Sequence, residues 1–159
     1  NNSSNFLDIN LEDWNNVVQS QLNSVFIACK VFGRSMVKNK NGSIINISST
    51  SAGPPLSRAF AYSSAKAAIT NLTKNIARDW ANSGVRVNSL RPGFFPTEWN
   101  KKNFLDEKRI KNIFNHTPMK RFGDPKELMT AILYLSSDAS TFVTGSEVTI
   151  DGGFSCMTI

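Results

Sequence analysis

One histidine, His116, and two cysteines, Cys29 and Cys156, are all that 159 residues offer of the softer metal ligands. Neither thiol has a histidine or a second cysteine at metal-like spacing, so no metal site is expected. Two cysteines cannot form a disulfide framework, and a reducing, cytoplasmic compartment fits them. No apolar run approaches the ~18 residues of a membrane span. The first twenty residues are polar, so no secretory leader is expected there. Lys and Arg outnumber Asp and Glu by 18 to 12, yet the surplus is scattered. Its densest groups are Lys101-Lys102 and Lys108 to Lys111, and no aromatic residues interleave with a continuous basic stripe. Nucleic-acid binding is therefore not expected. Solvated helix faces account for the charge, with a small anionic ligand as the alternative. Asn46-Ile47-Ser48 has the form of a glycosylation sequon but lies in an apolar strand pattern, where a glycan has no room.

What is present reads as one globular unit, with 40% apolar and 19% charged residues. Residues 1–10 form a polar entry segment. Trp14, Val17, Val18, Leu22, Val25, Phe26, Cys29, Phe32 and Met36 then recur at three- and four-residue steps, which predicts one helix over Leu11–Lys38. Asn39, Asn41 and Gly42 end it. Ser43 to Ser48 reads as a buried strand, and residues 49–60 as a loop marked by Gly53, Pro54 and Pro55. A helix from Ala61 to Ala81 carries Ala65, Ile69, Leu72, Ile76 and Trp80 on one face, with Gly84 as its stop. Val85–Leu90 is the next strand, closed by Pro92-Gly93. Residues 94–122 hold one short amphipathic helix around Ile110, Ile113 and Phe114. Asp124, Pro125 and Glu127 then write a helix start, and Leu128, Ala131, Ile132 and Leu135 its apolar face. Glu147–Ile150 is a last strand. Strands alternating with helices predict an α/β fold with a parallel sheet. Three such strands alone would leave two open edges. Upstream strands are therefore expected to be missing from this chain, which also lacks an initiating methionine; its first is Met36.

Three groups carry the chemistry. Tyr62 and Lys66 are four apart at a helix start and so share a face. A free tyrosine, with pKa ~10, is a poor proton donor or acceptor at neutral pH; an ammonium beside it favours the phenolate. Alone, the pair is a weak signal, since a helix-start aromatic with a solvated lysine looks the same. Ser49 ends a buried strand thirteen residues before Tyr62, where ligands sit in open parallel sheets; a turn hydroxyl is the plainer alternative. Pro92-Gly93 with Phe94, Phe95, Pro96 and Thr97 follows the next strand, and proline-glycine would let backbone approach a ligand. All three groups fall at carboxyl ends of strands or at adjacent helix starts, facing one crevice.

Together these motifs resemble the short-chain dehydrogenase/reductase family over nearly the whole chain. Trp14 to Met36 resembles the helix joining the family's fourth and fifth strands, and Gly42 to Ser49 its fifth strand. Ala61 to Gly93 resembles its active-site helix, sixth strand and proline-glycine turn. Phe142-Val143-Thr144-Gly145 through Asp151-Gly152-Gly153 resembles its C-terminal signature. The resemblance implies the C-terminal part of a Rossmann-type doubly wound sheet in a single partial domain, residues 1–159, with a substrate lid at about 94–122. It implies reversible hydride transfer between NAD or NADP and a carbonyl or secondary alcohol. Tyr62 would be the general acid/base, and Lys66 would tune it and bind the nicotinamide ribose. Ser49 would polarise the substrate carbonyl. Pro92, Gly93, Phe95 and Thr97 would line the nicotinamide, while Asn46 and Asn88 fall at structural positions. A homodimer or homotetramer is implied for the full-length protein through the helices Leu11–Lys38 and Ala61–Ala81.

Two departures stand out. Gln21 occupies the position, seven residues after Trp14, where the family usually has a catalytic asparagine; it keeps the amide but adds a methylene. The family's T-G-x-x-x-G-x-G phosphate loop is absent, so roughly 90 residues of strand–helix units are expected to be missing, and the isolated chain is expected to bind NAD(P) poorly and to be inactive. Phe94 to Asn100, His116 to Gly123, Ser140 to Gly145 and Asp151 to Ser155 resemble the sugar-acid branch, such as mannonate/fructuronate oxidoreductases and gluconate dehydrogenases. A 3-oxoacyl-carrier-protein reductase, or an inactive piece serving only oligomerisation, is the alternative. His116 is expected to serve the end of the lid helix, with substrate contact as the other option.

Overall fold

The computed structural model describes residues 5–54, 56, 58–98 and 105–157. Pro55 of the loop, Trp99 and Asn100 of the expected lid, and the pair Lys101-Lys102 lie outside these residues.

The sheet has three parallel strands in the order β1 (Gly42–Ile47), β2 (Val85–Pro92) and β3 (Glu147–Ile150). Ile44 sits opposite Val87, and Leu90 opposite Val148. The ladder continues past the strands, through Ser48 N–H to Leu90 O at 2.8 Å and Gly93 N–H to Ile150 O at 2.9 Å. The carboxyl ends of all three strands therefore form one edge.

Five helices frame the sheet among the described residues: α1 (Leu11–Val18), α2 (Ser24–Asn39), α3 (Phe60–Trp80), α4 (Glu107–His116) and α5 (Pro125–Ser136). Their starts obey the capping chemistry legible in the chain. Asn10 accepts from Asp13 N–H at 2.7 Å, and Asp106 from Arg109 N–H at 2.6 Å. At α5, Asp124 accepts from Lys126 N–H while Glu127 accepts from Asp124 N–H, a reciprocal capping box. Glu127 also takes both guanidinium nitrogens of Arg121, and those bonds hold its carboxyl down at about 2.

Strand alternation assigns the layers. Ile44, Val85 and Val87 pack with Ala77, Ile76, Trp80, Met36 and Val37, so this face belongs to α2 and α3. Ser43 points the other way and donates to Leu135 O of α5 at 2.8 Å. Burying Ile69, Leu90 and Leu135 almost completely contributes about 1.5–3 kcal/mol each. Both asparagines assigned structural positions are consumed inside the fold. Asn46 donates to Thr73 Oγ1 and accepts from Cys29 Sγ; Asn88 donates to Val143 O and accepts from Ser146 N–H. Burial pushes the Cys29 thiol up despite its bond to Asn46.

The structure corrects the first helix. It is not one regular α-helix: a π turn at Gln19–Asn23 separates α1 from α2. Beyond it the covered line of α2 runs through Val25, Cys29, Gly33 and Met36, and Phe26 and Phe32 flank that line. Phe26 and Phe32, placed in the apolar stripe by their spacing, are 50% and 63% exposed. The buried positions are Cys29 and Gly33. Trp80 lies on Gly33 so closely that a Cβ there would be 2.2 Å from its ring. Gly33→Val is therefore expected to destabilise the fold by about 2–3 kcal/mol through overpacking, lowering Tm by roughly 5–10 °C. Thermal unfolding followed by circular dichroism checks this, and an unchanged Tm would refute the close packing. Ile132 of the α5 stripe is likewise exposed; contact with the sheet narrows to the line through Leu135. The loop after β1 carries a 3₁₀ turn, Thr50–Ala52.

Candidate active site

The carboxyl edge of β1 is where the expected groups meet. Ser49 follows β1 directly and caps the 3₁₀ turn. Its Oγ accepts from Ser51 N–H at 3.2 Å and from Ser51 Oγ at 3.0 Å. It is thus both a turn-capping hydroxyl and an oriented one. The turn packs against α3, whose first residues include Tyr62 and Lys66. Lys66 is buried, donates to Ile47 O at 2.9 Å, and lies 5.5 Å from the centroid of the half-buried Tyr62 ring. Burial lowers the pKa of its ammonium.

Gln21 lies at the centre of the π turn, and that turn also packs against α3. Such turns recur at functional sites because they break the helical hydrogen-bond ladder locally. Ser49 and Gln21 thus sit at two elements that both pack against α3, the helix that carries Tyr62 and Lys66.

The Pro92-Gly93 turn abuts the segment that follows β3. A Cβ on Gly93 would lie 2.7 Å from Asp151 Cα, so close packing there requires a glycine. Phe95 lays its ring on Gly123, and Phe94 meets Phe154 edge-on at 5.2 Å. Thr97 is exposed. A cavity of about 360 Å³ lies beside this segment, lined by Phe94, Phe95, Arg121, Phe122 and Ile150 among others. None of Ser49, Tyr62, Lys66 or Gln21 lines it. His116 closes α4 and meets Phe154 edge-on at 4.7 Å, so it ties α4 to the C-terminal segment. Asp151 anchors that segment, accepting from Gly153 N–H, Ser155 N–H and Ser155 Oγ. Burial works to raise its pKa, but those bonds and the Arg91 charge outweigh it and hold the carboxyl low.

Sequence reasoning missed a polar network beneath the site. Ser48 Oγ donates to Lys66 O and lies 2.9 Å from Thr70 Oγ1. Thr70 Oγ1 donates to Glu147 Oε1 at 2.8 Å. Arg91 gives Nη1 to Glu147 Oε2 at 3.2 Å and Nη2 to Thr50 O at 3.3 Å. The available signal was Arg91, a charge in an apolar strand on the face that buries Val85 and Val87.

A family model described as enoyl-(acyl carrier protein) reductase matches residues 1–155. The chain belongs to the short-chain dehydrogenase/reductase family. It is 39% identical over 155 residues to an uncharacterized oxidoreductase, UxuB, of Bacillus subtilis, covering 94% of this chain and 56% of that protein. It is 37% identical over 142 residues to a 3-oxoacyl-[acyl-carrier-protein] reductase of Thermotoga maritima, covering 89% and 57%. A gluconate 5-dehydrogenase of Burkholderia cenocepacia, solved in complex with NADP and tartrate, superposes with a TM-score of 0.93 at 32% identity, over 98% of this chain and 61% of that one. The chain thus spans somewhat over half the length of these relatives. Its three-stranded parallel sheet with flanking helices matches the Rossmann-type architecture expected. No described helix is long and apolar enough to cross a membrane. Among the described residues, no cluster of three His, Cys, Asp or Glu side chains could hold a metal ion.

Proposed function

We propose that this chain provides the catalytic half of an NAD(P)-dependent oxidoreductase that interconverts a carbonyl and a secondary alcohol, with a sugar acid as substrate. The convergence of Ser49, Tyr62 and Lys66 at the carboxyl edge of β1 carries the reading. These residues fit the reacting end of a nicotinamide dinucleotide. Lys66 has three N–H donors, of which Ile47 O takes one, leaving capacity for ribose hydroxyls. The 159 residues contain no T-G-x-x-x-G-x-G motif for the pyrophosphate.

When bound, the nicotinamide supplies or accepts the hydride. The chain's residues do the rest. Tyr62 gives a proton to the carbonyl oxygen in reduction and takes it back in oxidation. Ser49 hydrogen-bonds the same oxygen through the hydroxyl that Ser51 orients. Lys66 adds positive charge beside the ring, and the Gln21 amide in the π turn would hold a water of the proton relay. The preference for a sugar acid is supported by the lid and C-terminal motifs and by the superposition on a gluconate 5-dehydrogenase. Free Cys29 and Cys156 suit the cytoplasm. Exposed Phe26, Ile27, Val31 and Phe32 on α2 supply the apolar surface a homodimer or homotetramer would cover.

The test has two stages. Titration calorimetry with NAD(H) and NADP(H) on the purified chain, with circular dichroism to verify folding, is expected to show weak or no binding, because the phosphate loop is lacking. The native gene product is then assayed with gluconate-type sugar acids, a 3-oxoacyl thioester and both cofactors. Turnover of sugar acids supports the proposal; turnover of the thioester alone would move the substrate class. No turnover of any substrate would overturn the oxidoreductase reading.

A further inference from the structure

We propose that Arg91 is a positioning residue of this site: its guanidinium fork holds the Thr50 carbonyl, and with it the turn that presents the Ser49 hydroxyl. The inference rests on the oxidoreductase reading only for its kinetic consequence. Thr50 O closes the 3₁₀ turn by accepting from Gly53 N–H at 3.2 Å, and it is the same oxygen that Arg91 Nη2 reaches at 3.3 Å. The other arm of the fork is fixed by Glu147, an ion pair whose partners are only 15% and 21% exposed. Glu147 is held in turn by Thr70 of α3, one helical turn after Lys66, whose carbonyl accepts from Ser48 Oγ. One planar group thereby sets the Ser49 turn relative to β3 and the helix of Tyr62 and Lys66. Gly53 leaves the space for it: a Cβ there would come 1.9 Å from Arg91 Nη2.

Two variants separate this role from mere stabilisation. Arg91→Lys keeps the charge opposite Glu147, so no carboxylate is left unpaired, but a single ammonium cannot bridge both acceptors. Gly53→Ala keeps both ionic partners and pushes the guanidinium off Thr50 O, because the new Cβ would lie 1.9 Å from Nη2 and 3.0 Å from Cζ. Both are made in the native gene product and compared by Tm, amide hydrogen exchange and kinetics. Exchange at the Ser51 and Ala52 amides is expected to rise about tenfold in each variant, while the α3 core amides stay unchanged. In the same variants kcat is expected to fall about tenfold or more, with the cofactor KM within about twofold. Unchanged exchange at Ser51 and Ala52 would overturn the proposal. Faster exchange with wild-type kcat would overturn its link to catalysis. If the unmutated protein turns over no substrate, the oxidoreductase reading falls, and the exchange data still decide whether Arg91 holds the turn.

Discussion

Tyr62→Phe is expected to cut kcat by about a thousandfold in the native gene product and to leave the fold intact. On the proposed reading the hydroxyl exchanges a proton with the substrate oxygen, and positioned proton transfer is worth roughly 10²–10⁴ in rate. Phenylalanine keeps the ring, which is what the fold uses: it is half-buried, with Lys66 Nζ 5.5 Å from its centroid. Cofactor affinity should stay within about threefold, because Lys66 remains held by Ile47 O, so the loss should fall on kcat rather than on cofactor KM. Steady-state kinetics with both substrates varied, beside a thermal melt, reads the two effects separately. Retention of more than about a tenth of the activity would mean that another group moves the proton.

The second large effect has opposite signs on stability and activity. Lys66→Met removes a charge that the fold buries beside a single carbonyl acceptor. The lost hydrogen bond costs about 1 kcal/mol, whereas relief of the desolvated ammonium works the other way. The variant is expected to be at least as stable as the parent at pH 7, while kcat/KM falls by about a hundredfold or more. The sign of the pH dependence follows from burial. Burial lowers the lysine's pKa in the folded state, so the unfolded chain binds this proton more tightly. The penalty is present in full below the folded pKa and is relieved as pH rises from there toward the unfolded value of ~10.4. Lys66 thus makes parental stability climb with pH across that window, and Lys66→Met should remove the climb. Urea titrations at several pH values between neutrality and the unfolded lysine pKa would measure both slopes. Equal slopes, or a large loss of stability in the variant at pH 7, would refute the account of a strained buried ammonium.

Much of this was legible beforehand because it is local. The capping box at Asp124 and Glu127 needs only two side chains three residues apart and a helix to serve. β3 spans Glu147–Ile150, where its short apolar pattern put it. The α/β class followed from strands alternating with helices, since parallel neighbours require crossovers. The pairing of Tyr62 with Lys66 followed from helical spacing. The family resemblance then added roles for Ser49 and Gln21 that no spacing argument supplies.

What escaped the sequence is non-local. Which side of α2 is covered depends on what packs against it, so the exposure of Phe26 and Phe32 and the burial of Gly33 under Trp80 could not be seen. Gly93 reads as a turn glycine in one dimension; only the position of Asp151 just after β3, nearly sixty residues later, adds the close contact that its missing Cβ permits. Arg91 reads as an odd charge in an apolar strand until Glu147, Thr70 and Thr50 are brought around it from three other elements. By itself, then, the sequence determined element type, helix starts, the family and the pairing of Tyr62 with Lys66 on one helix face, because periodicity, capping and motif spacing are written along the chain. Tertiary structure alone decided which side of α2 is covered, the close contact of Gly93 with Asp151 and the Arg91 clamp on the Ser49 turn. Each of these depends on atoms that only the parallel crossovers bring within contact distance.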